Sequence, residues 1–376
     1  MNTAIVTLAA LLAAAPASAQ LSGALGKLNK AADQADKVKG FHISEPDERK
    51  IGEQVSLQIR NTFGVYQDAA VTKYVTLLGT VLAQGSSRPN LNWEFIVLDT
   101  DGVNAFAAPG GIIHITRGAL GLAKTEAELA GVLGHEITHV TEKHTIGSIE
   151  KSNMMGAGAD QVSKGGLAQD AIARIVEQTY TSVLNNKFDR NEELEADRLG
   201  VVLASKAGYA PNGLSTLLTK IAERNKDQQE PNGMFASHPQ LSDRIAKIGQ
   251  TITAQKLTGT ALVAARYTST VTFDAKPLAE IPVIADGSRG LAGGSGSTDK
   301  KEEEKKDDKD AKPKGGLFGS KLSLSKGSET KSSQTVASAG ARGGVPDRDA
   351  VGGPNKSKLA VTVTPAEVAA FKKGIA

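Results

Sequence analysis

The sequence predicts an α+β fold that is mainly helical, with a small sheet flanking one central helix. Three observations carry that expectation. Apolar residues recur three and four apart along most of residues 46–255, the period of amphipathic helices. Two short stretches, Leu91-Asn92-Trp93-Glu94-Phe95-Ile96-Val97-Leu98 and Ile112-Ile113-His114-Ile115-Thr116, are instead rich in β-branched or aromatic residues. Finally, one helical stretch carries His135-Glu136-Ile137-Thr138-His139, and two histidines four apart share a helix face.

Taken in order, the chain opens with an uncharged apolar run from Met1 to Ala15, then Ala17-Ser18-Ala19 before Gln20. This is the pattern of a secretory signal peptide over residues 1–19, although the usual early Lys or Arg is missing. Residues 20–45 are small and mixed polar and read as an N-terminal arm. A helix is expected at 46–62, with Ile51, Val55 and Ile59 stacked on one side, and a second at 68–84, carrying Val71, Tyr74, Val75, Leu78 and Val81. The two strand-like stretches come next, then the motif helix at about 125–146. Thr125-Glu126-Ala127-Glu128 has capping-box spacing at its start, and Gly147 is the expected stop.

Residues 151–168 hold several Gly and few large apolar side chains, and read as a loop over the front of the site. Further helices are expected at 169–184, 190–206, 211–224 and 239–255, which closes a single domain at 46–255. Alternation in Tyr267-Thr268-Ser269-Thr270-Val271-Thr272-Phe273 suggests a short β-rich extension over 256–286. Residues 287–356, with their Gly-Ser runs and the charge block from Lys300 to Asp310, cannot bury a core and read as disordered. Pattern returns at 357–376, where Leu359-Ala360-Val361-Thr362-Val363 is strand-like and Thr364-Pro365-Ala366-Glu367 opens a helix.

Composition narrows the function classes. The chain has no cysteine, which excludes disulfides, thiolate-ligated metal and a lipid-modified cysteine. A net charge of +3 over 376 residues is too small to argue for nucleic acid. After the leader no segment reaches 18 consecutive apolar residues, so no transmembrane helix is expected in the mature chain, and peripheral association with the envelope stays open.

The motif helix carries the chemistry. His135 and His139 can aim both imidazoles at one metal ion, and Glu136 beside them can take a proton from water at that metal. Zinc is the expected ion, one per chain, since two His and a later carboxylate with one open position is a catalytic zinc set. The plainer alternative is a buried helix with satisfied core histidines; against it, three of the six His fall within ten residues, at 135, 139 and 144. A third ligand is sought in Arg190-Asn191-Glu192-Glu193-Leu194-Glu195-Ala196-Asp197. Glu193 and Asp197 share a face, so one could bind metal and the other accept a hydrogen bond from a ligand His. On residue chemistry alone, Glu192 and Glu195 are equal candidates. The metzincin spacing does not apply, because Glu142 and Thr145 stand where that pattern has Gly and His; His144 is off register and reads as a surface or cap residue.

Taken together these segments resemble a known family. Asn104-Ala105-Phe106-Ala107-Ala108-Pro109-Gly110-Gly111 through Gly118, then His135 through His144, Arg190 through Gly200, Ala207-Gly208-Tyr209-Ala210-Pro211, and Ser237-His238-Pro239 with Arg244-Ile245 occur in the family's order over about residues 46–250. The family is that of the zinc metallopeptidases including the CAAX prenyl endopeptidases, the heat-shock membrane protease and periplasmic proteases of beta-barrel assembly (metallopeptidase family 48, gluzincin-like). The resemblance implies that Glu193 is the third ligand and Asp197 supports the site. The absence of the membrane-spanning helices of some members points to the soluble, exported branch.

These readings converge on an exported zinc-dependent endopeptidase. Glu136 is its expected general base, unfolded or misassembled envelope proteins its substrates, and the periplasm its compartment. A chaperone-like binding module with a largely silent metal site is the alternative; an intact Glu136 favours the enzyme. Two further expectations concern positions around the metal. His238, in its His-Pro setting before the 239–255 helix, is a candidate regulatory residue that approaches the zinc when no substrate is bound, the plain reading being a helix entry. Gly110, Gly111, Ile112, Ile113 and His114 are expected to bind substrate, with 111–116 as an edge strand to which an extended peptide adds; a core strand paired on both sides is the alternative.

Overall fold

A computed structural model of the chain describes residues 42–155, 162–163, 166–167, 169–185, 188–227, 238, 241–281 and 354–375. The expected leader, most of the N-terminal arm and nearly all of the low-complexity interval lie outside these residues. What is described is a mainly helical α+β body with one three-stranded sheet.

Two helices open it. α1 (Glu45–Phe63) starts at Ser44, whose side chain accepts from Asp47 N, and buries Ile51, Val55 and Ile59 as its four-residue spacing dictates. α2 (Ala69–Gln84) is capped by Asp68 and buries Val71, Tyr74, Val75, Leu78, Val81 and Leu82. The sheet comprises β1 (Glu94–Leu98), β2 (Ala105–Ala108) and β3 (Ile112–Thr116) in the order β1-β3-β2. β1 runs parallel to β3, pairing Phe95 with Ile113 and Val97 with Ile115; β2 runs antiparallel, pairing Phe106 with His114.

The expected edge strand at 111–116 is therefore corrected: β3 is the central strand, paired on both sides. All five of its residues are buried, as suits a strand between two neighbours. Its second partner, β2, is not legible in the sequence because Ala-Phe-Ala-Ala carries little strand propensity. Gly110 and Gly111 form the turn from β2 to β3 at φ 72° and 93°, a conformation other residues rarely adopt. They shape this hairpin and lie outside any open edge.

After the short α3 (Arg117–Leu122) comes α4 (Glu126–Thr141), the motif helix, capped by Thr125 and buried from Glu126 through Val140. It packs against α2, β2, α7 and α8, so it occupies the middle of the molecule. It ends earlier than expected. Lys143 takes φ 56° and the chain turns at once into α5 (His144–Met155), with Gly147 inside that helix and not at a stop. Within the expected loop 151–168, α5 continues to Met155 and β4 (Val162–Ser163) pairs with β5 (Gly166–Leu167); the remainder lies outside the described residues.

α6 (Gln169–Asn185), α7 (Arg190–Lys206), α8 (Gly213–Arg224) and α9 (Leu241–Ala254) follow, close to the expected bounds. The β-rich extension is not found among the described residues. Ala264–Thr270 is a helix, α10, which buries Tyr267 and donates its hydroxyl to Leu120 O at 2.6 Å. The alternating Thr and Ser there lack a partner strand, apart from a single bridge between Tyr209 and Ala261. Residues 358–364 likewise form no strand, whereas α11 (Pro365–Lys373) starts in a full capping box of Thr364 and Glu367. α11 returns to pack on α2. No helix of the described residues is long and apolar enough to cross a membrane.

Candidate metal centre and catalytic base

Two glycines set the site. A Cβ on Gly134 of α4 would lie 2.7 Å from Gly200 O, and a Cβ on Gly200 of α7 would lie 2.6 Å from His135 N. The two helix backbones can therefore touch, which places the acidic first turns of α7 directly against the histidine face of α4. α7 itself begins at Asp189, in a capping box with Glu192: Asp189 Oδ1 accepts from Glu192 N at 3.0 Å and Glu192 Oε2 accepts from Asp189 N at 3.0 Å. Glu192 is thus committed to the helix start. Glu193, one residue on, turns inward with Asp197 below it, and both are buried.

His135 Nε2 and His139 Nε2 lie 3.0 Å apart. Glu193 Oε1 is 3.5 Å from His139 Nε2. His238, which precedes α9, places Nδ1 2.7 Å from Glu193 Oε1 and 3.3 Å from His135 Nε2. One ligand atom from each of His135, His139, Glu193 and His238 falls within 4.8 Å of the others, and all four residues are buried. Asp197 Oδ1 lies 2.9 Å from His135 Nδ1, the ring nitrogen facing away from this cluster. The structure thus brings together His135, Glu136, His139, Glu193, Asp197 and His238. It leaves Gly110 to His114 in the hairpin turn and the central strand, where His114 Nε2 meets Ser56 Oγ at 2.9 Å.

Electrostatics suit a cation. Burial pushes the His139 imidazole well below its ordinary value, so it is neutral with a lone pair to offer. Burial alone would raise Glu193, yet the charges of His238 and Arg244 hold its carboxyl well below the usual range. Burial likewise opposes Asp197, but Arg244 brings it down to about 2. Burial lowers His238, and the carboxylates of Glu193 and Glu136 more than offset this, leaving it raised. Glu136 differs. Burial raises its carboxyl, and neither oxygen has a hydrogen-bond partner among the described residues; His238 Nε2 stands 3.8 Å away. The neutral imidazole of His139, a second ring nitrogen from His135 and the ionised carboxylate of Glu193 converging on one point fit a divalent ion that accepts nitrogen and oxygen. A buried, unpartnered carboxylate beside them fits a group awaiting a proton donor such as water.

Three neighbours to which the sequence alone assigns no site role join the centre. Arg244 of α9 donates Nη2 to Asp197 Oδ1 at 2.6 Å and Nη1 to His238 O at 3.1 Å, and its Nη1 lies 3.0 Å from Glu193 Oε2. A signal for it exists: two inward carboxylates on one helix face require a buried cation. Phe188 stacks on His139 at 3.9 Å between ring centroids. His144, expected at the surface, is buried with Nδ1 2.9 Å from His139 Nδ1, because the left-handed turn at Lys143 folds it back.

The remaining strand edge near this centre is β2. Thr116 N donates to Asn104 O at 3.0 Å, which fixes the phase of the antiparallel ladder. Phe106 and Ala108 then turn their peptide groups toward β3, and Ala107 turns its own away. Ala107 and Pro109 line a small cavity with His139, Val140 and Ile146.

A buried helix with two histidines four apart, a carboxylate from a second helix and a free Glu between them defines a metallopeptidase-type centre. Comparison with known proteins makes this specific: residues 69–252, just under half of the chain, match the model of peptidase family M48. Among its relatives are the beta-barrel assembly-enhancing protease of Escherichia coli, 25% identical over 57% of this chain and 47% of that protein, and the mitochondrial metalloendopeptidase OMA1 of Arabidopsis thaliana, 31% identical over 45% and 33%. The metalloprotease LoiP of Escherichia coli is 24% identical over 58% of this chain and 86% of its own length. The chain spans about half the length of the beta-barrel assembly-enhancing proteases it matches.

Proposed function

We propose that the protein is an exported zinc-dependent endopeptidase of cell-envelope protein quality control. The observation that carries the reading is the Glu136 carboxylate, buried and without a hydrogen-bond partner among the described residues, beside the cluster of His135, His139 and Glu193. Zinc held by those three residues would supply a Lewis acid that makes water more acidic and polarises a carbonyl. Glu136 accepts the proton of the attacking water and delivers it to the leaving amine, and its raised pKa suits both halves of that transfer. Asp197 orients His135, and Arg244 holds Asp197 and Glu193 ionised.

Substrate binds as an extended chain along the edge of β2 that has no partner strand among the described residues, main chain to main chain through Ala107. This replaces the edge expected at 111–116 and gives affinity with little demand on sequence, which suits unfolded or misassembled proteins. The names of the beta-barrel assembly-enhancing relatives support envelope substrates and the periplasm as the compartment. His238 acts as a restraint: its contacts with Glu193 and His135 occupy the space that water and substrate need. A chaperone-like binder with a silent metal site would not need Glu136.

The test is proteolysis of an unfolded protein such as casein by the parent chain and by Glu136→Gln. The variant should keep its zinc and fold and lose about 10²–10⁴-fold in turnover. Undiminished cleavage, or loss of zinc, would remove Glu136 from this role. His238→Ala should cleave casein faster than the parent at equal stability.

A further inference from the structure

We propose that His144, held by Glu195, is a positioning residue that fixes the tautomer and orientation of His139. The inference rests on the reading of His139 as a metal ligand. His144 is 5% exposed and meets His139 edge to face, with ring centroids 4.9 Å apart and planes at 78°. Their Nδ1 atoms are 2.9 Å apart, and His144 Nε2 is 3.3 Å from Glu195 Oε2.

With a neutral ring at His144, hydrogen-bond polarity along this chain has one solution. The Glu195 carboxylate can only accept, so His144 carries its proton on Nε2. The Nδ1 of a neutral His144 is then an acceptor, and the proton between the two rings belongs to His139 Nδ1. A neutral His139 with its proton on Nδ1 has its lone pair on Nε2, the atom that faces His135 Nε2 and Glu193. The outer carboxylate thereby determines which nitrogen of His139 is free to bind.

The two histidines of the motif are consequently held by different means. His135 Nδ1 faces a buried, ionised carboxylate at 2.9 Å. The Nδ1 of His139 reaches a carboxylate through the His144 ring, and that carboxylate belongs to a side chain 44% exposed. The turn at Lys143 makes the contact possible, since its φ of 56° reverses the chain between the two helices and aims His144 at the residue five positions before it.

The experiment measures zinc affinity of the purified full chain by competition with a chelating dye, for the parent and for His144→Phe, His144→Asn and His139→Ala. Phe fills the volume without an acceptor and should weaken zinc binding about 10–100-fold, the range for loss of a partner behind a ligand. Asn, whose Oδ1 can stand near the position of Nδ1, should recover most of that loss. Thermal midpoints of the metal-free proteins should stay together, separating positioning from packing. Nitrogen-15 NMR of the metal-free parent should show His139 protonated at Nδ1. The proposal is overturned by parent-like zinc affinity in a folded His144→Phe, or by a proton on His139 Nε2, a readout that needs no variant to fold. If His139→Ala itself keeps parent-like affinity, the ligand reading has failed first.

Discussion

Arg244 clamps Asp197 with two hydrogen bonds, Nε to Oδ2 at 2.8 Å and Nη2 to Oδ1 at 2.6 Å, while the same Oδ1 lies 2.9 Å from His135 Nδ1. The carboxylate thus serves a cation and a metal-facing histidine at once, with Arg244 also reaching Glu193. All four groups are buried. The centre is a charge network of buried acids, histidines and one guanidinium.

Arg244→Met should leave two buried carboxylates without their guanidinium. The metal-free variant should lose about 3–5 kcal/mol, as when one partner of a buried ion pair is removed. Zinc at the proposed site would return positive charge to the same place. The thermal midpoint should therefore rise on adding zinc by more in Arg244→Met than in the parent. An equal rise in both proteins would deny the network its electrostatic role.

Gly200→Ala inserts a methyl group where only 2.6 Å separates it from His135 N. Helix α7 must move away from α4, carrying Glu193 from the histidines. Zinc affinity should fall together with stability, the latter by about 1–3 kcal/mol as in other overpacked sites. Calorimetry with zinc checks both; normal zinc affinity would show that the helix contact does not set the ligand geometry.

Ala107→Pro removes one outward N–H from β2, whereas Phe106→Pro removes one that pairs with β3. The first variant should fold, hold zinc and lose about fivefold in kcat/KM on unfolded protein, the worth of one hydrogen bond of about 1 kcal/mol. The second should be destabilised outright. Parent-like kcat/KM in a folded Ala107→Pro would take substrate off this edge.

Acid should weaken the fold through His114. Burial and the charge of Arg60 bring its pKa to about 3, against an ordinary 6.5. Above about 6.5 neither state is protonated there and the contribution is fully present. Between about 6.5 and about 3 the unfolded chain takes up a proton the fold refuses, so stability falls with falling pH, by up to about 1.4 kcal/mol per unit. Urea titrations of the parent and of His114→Gln across pH 7 to pH 4 should diverge with that slope; parallel curves would contradict it.

The parts of the molecule legible in the sequence are those with period and chemistry in the same segment. Helix α4 announces itself through Leu129, Val132, Leu133 and Ile137, and its histidines through their spacing. Arg190 to Asp197 shows its carboxylates, but only the contacts of the folded chain separate Glu192, spent on capping, from Glu193, turned inward. β2 stays hidden because alanine says little about strands, and with β2 hidden the central place of β3 cannot be seen. His144 escapes for another reason. Its partner lies across a left-handed residue, and helical spacing does not extend through such a turn.

The C-terminal segment closes back on the body that carries the motif helix. Val65 N donates to Asn355 O at 2.6 Å, Lys73 pairs with Glu367 at 2.6 Å, and Arg266 lies 4.0 Å over the Phe371 ring while binding Glu126 at the head of the motif helix. Both flanks of the interval 282–353 are therefore anchored on one body. For protein engineering, excision and truncation become opposite operations. Joining 281 to 354 with a short linker keeps both anchored flanks in the chain, and loop-closure entropy varies only slowly with length. Stopping the chain at 281 strips Phe371 from the ring of Tyr74 and leaves Arg266 without its aromatic seat.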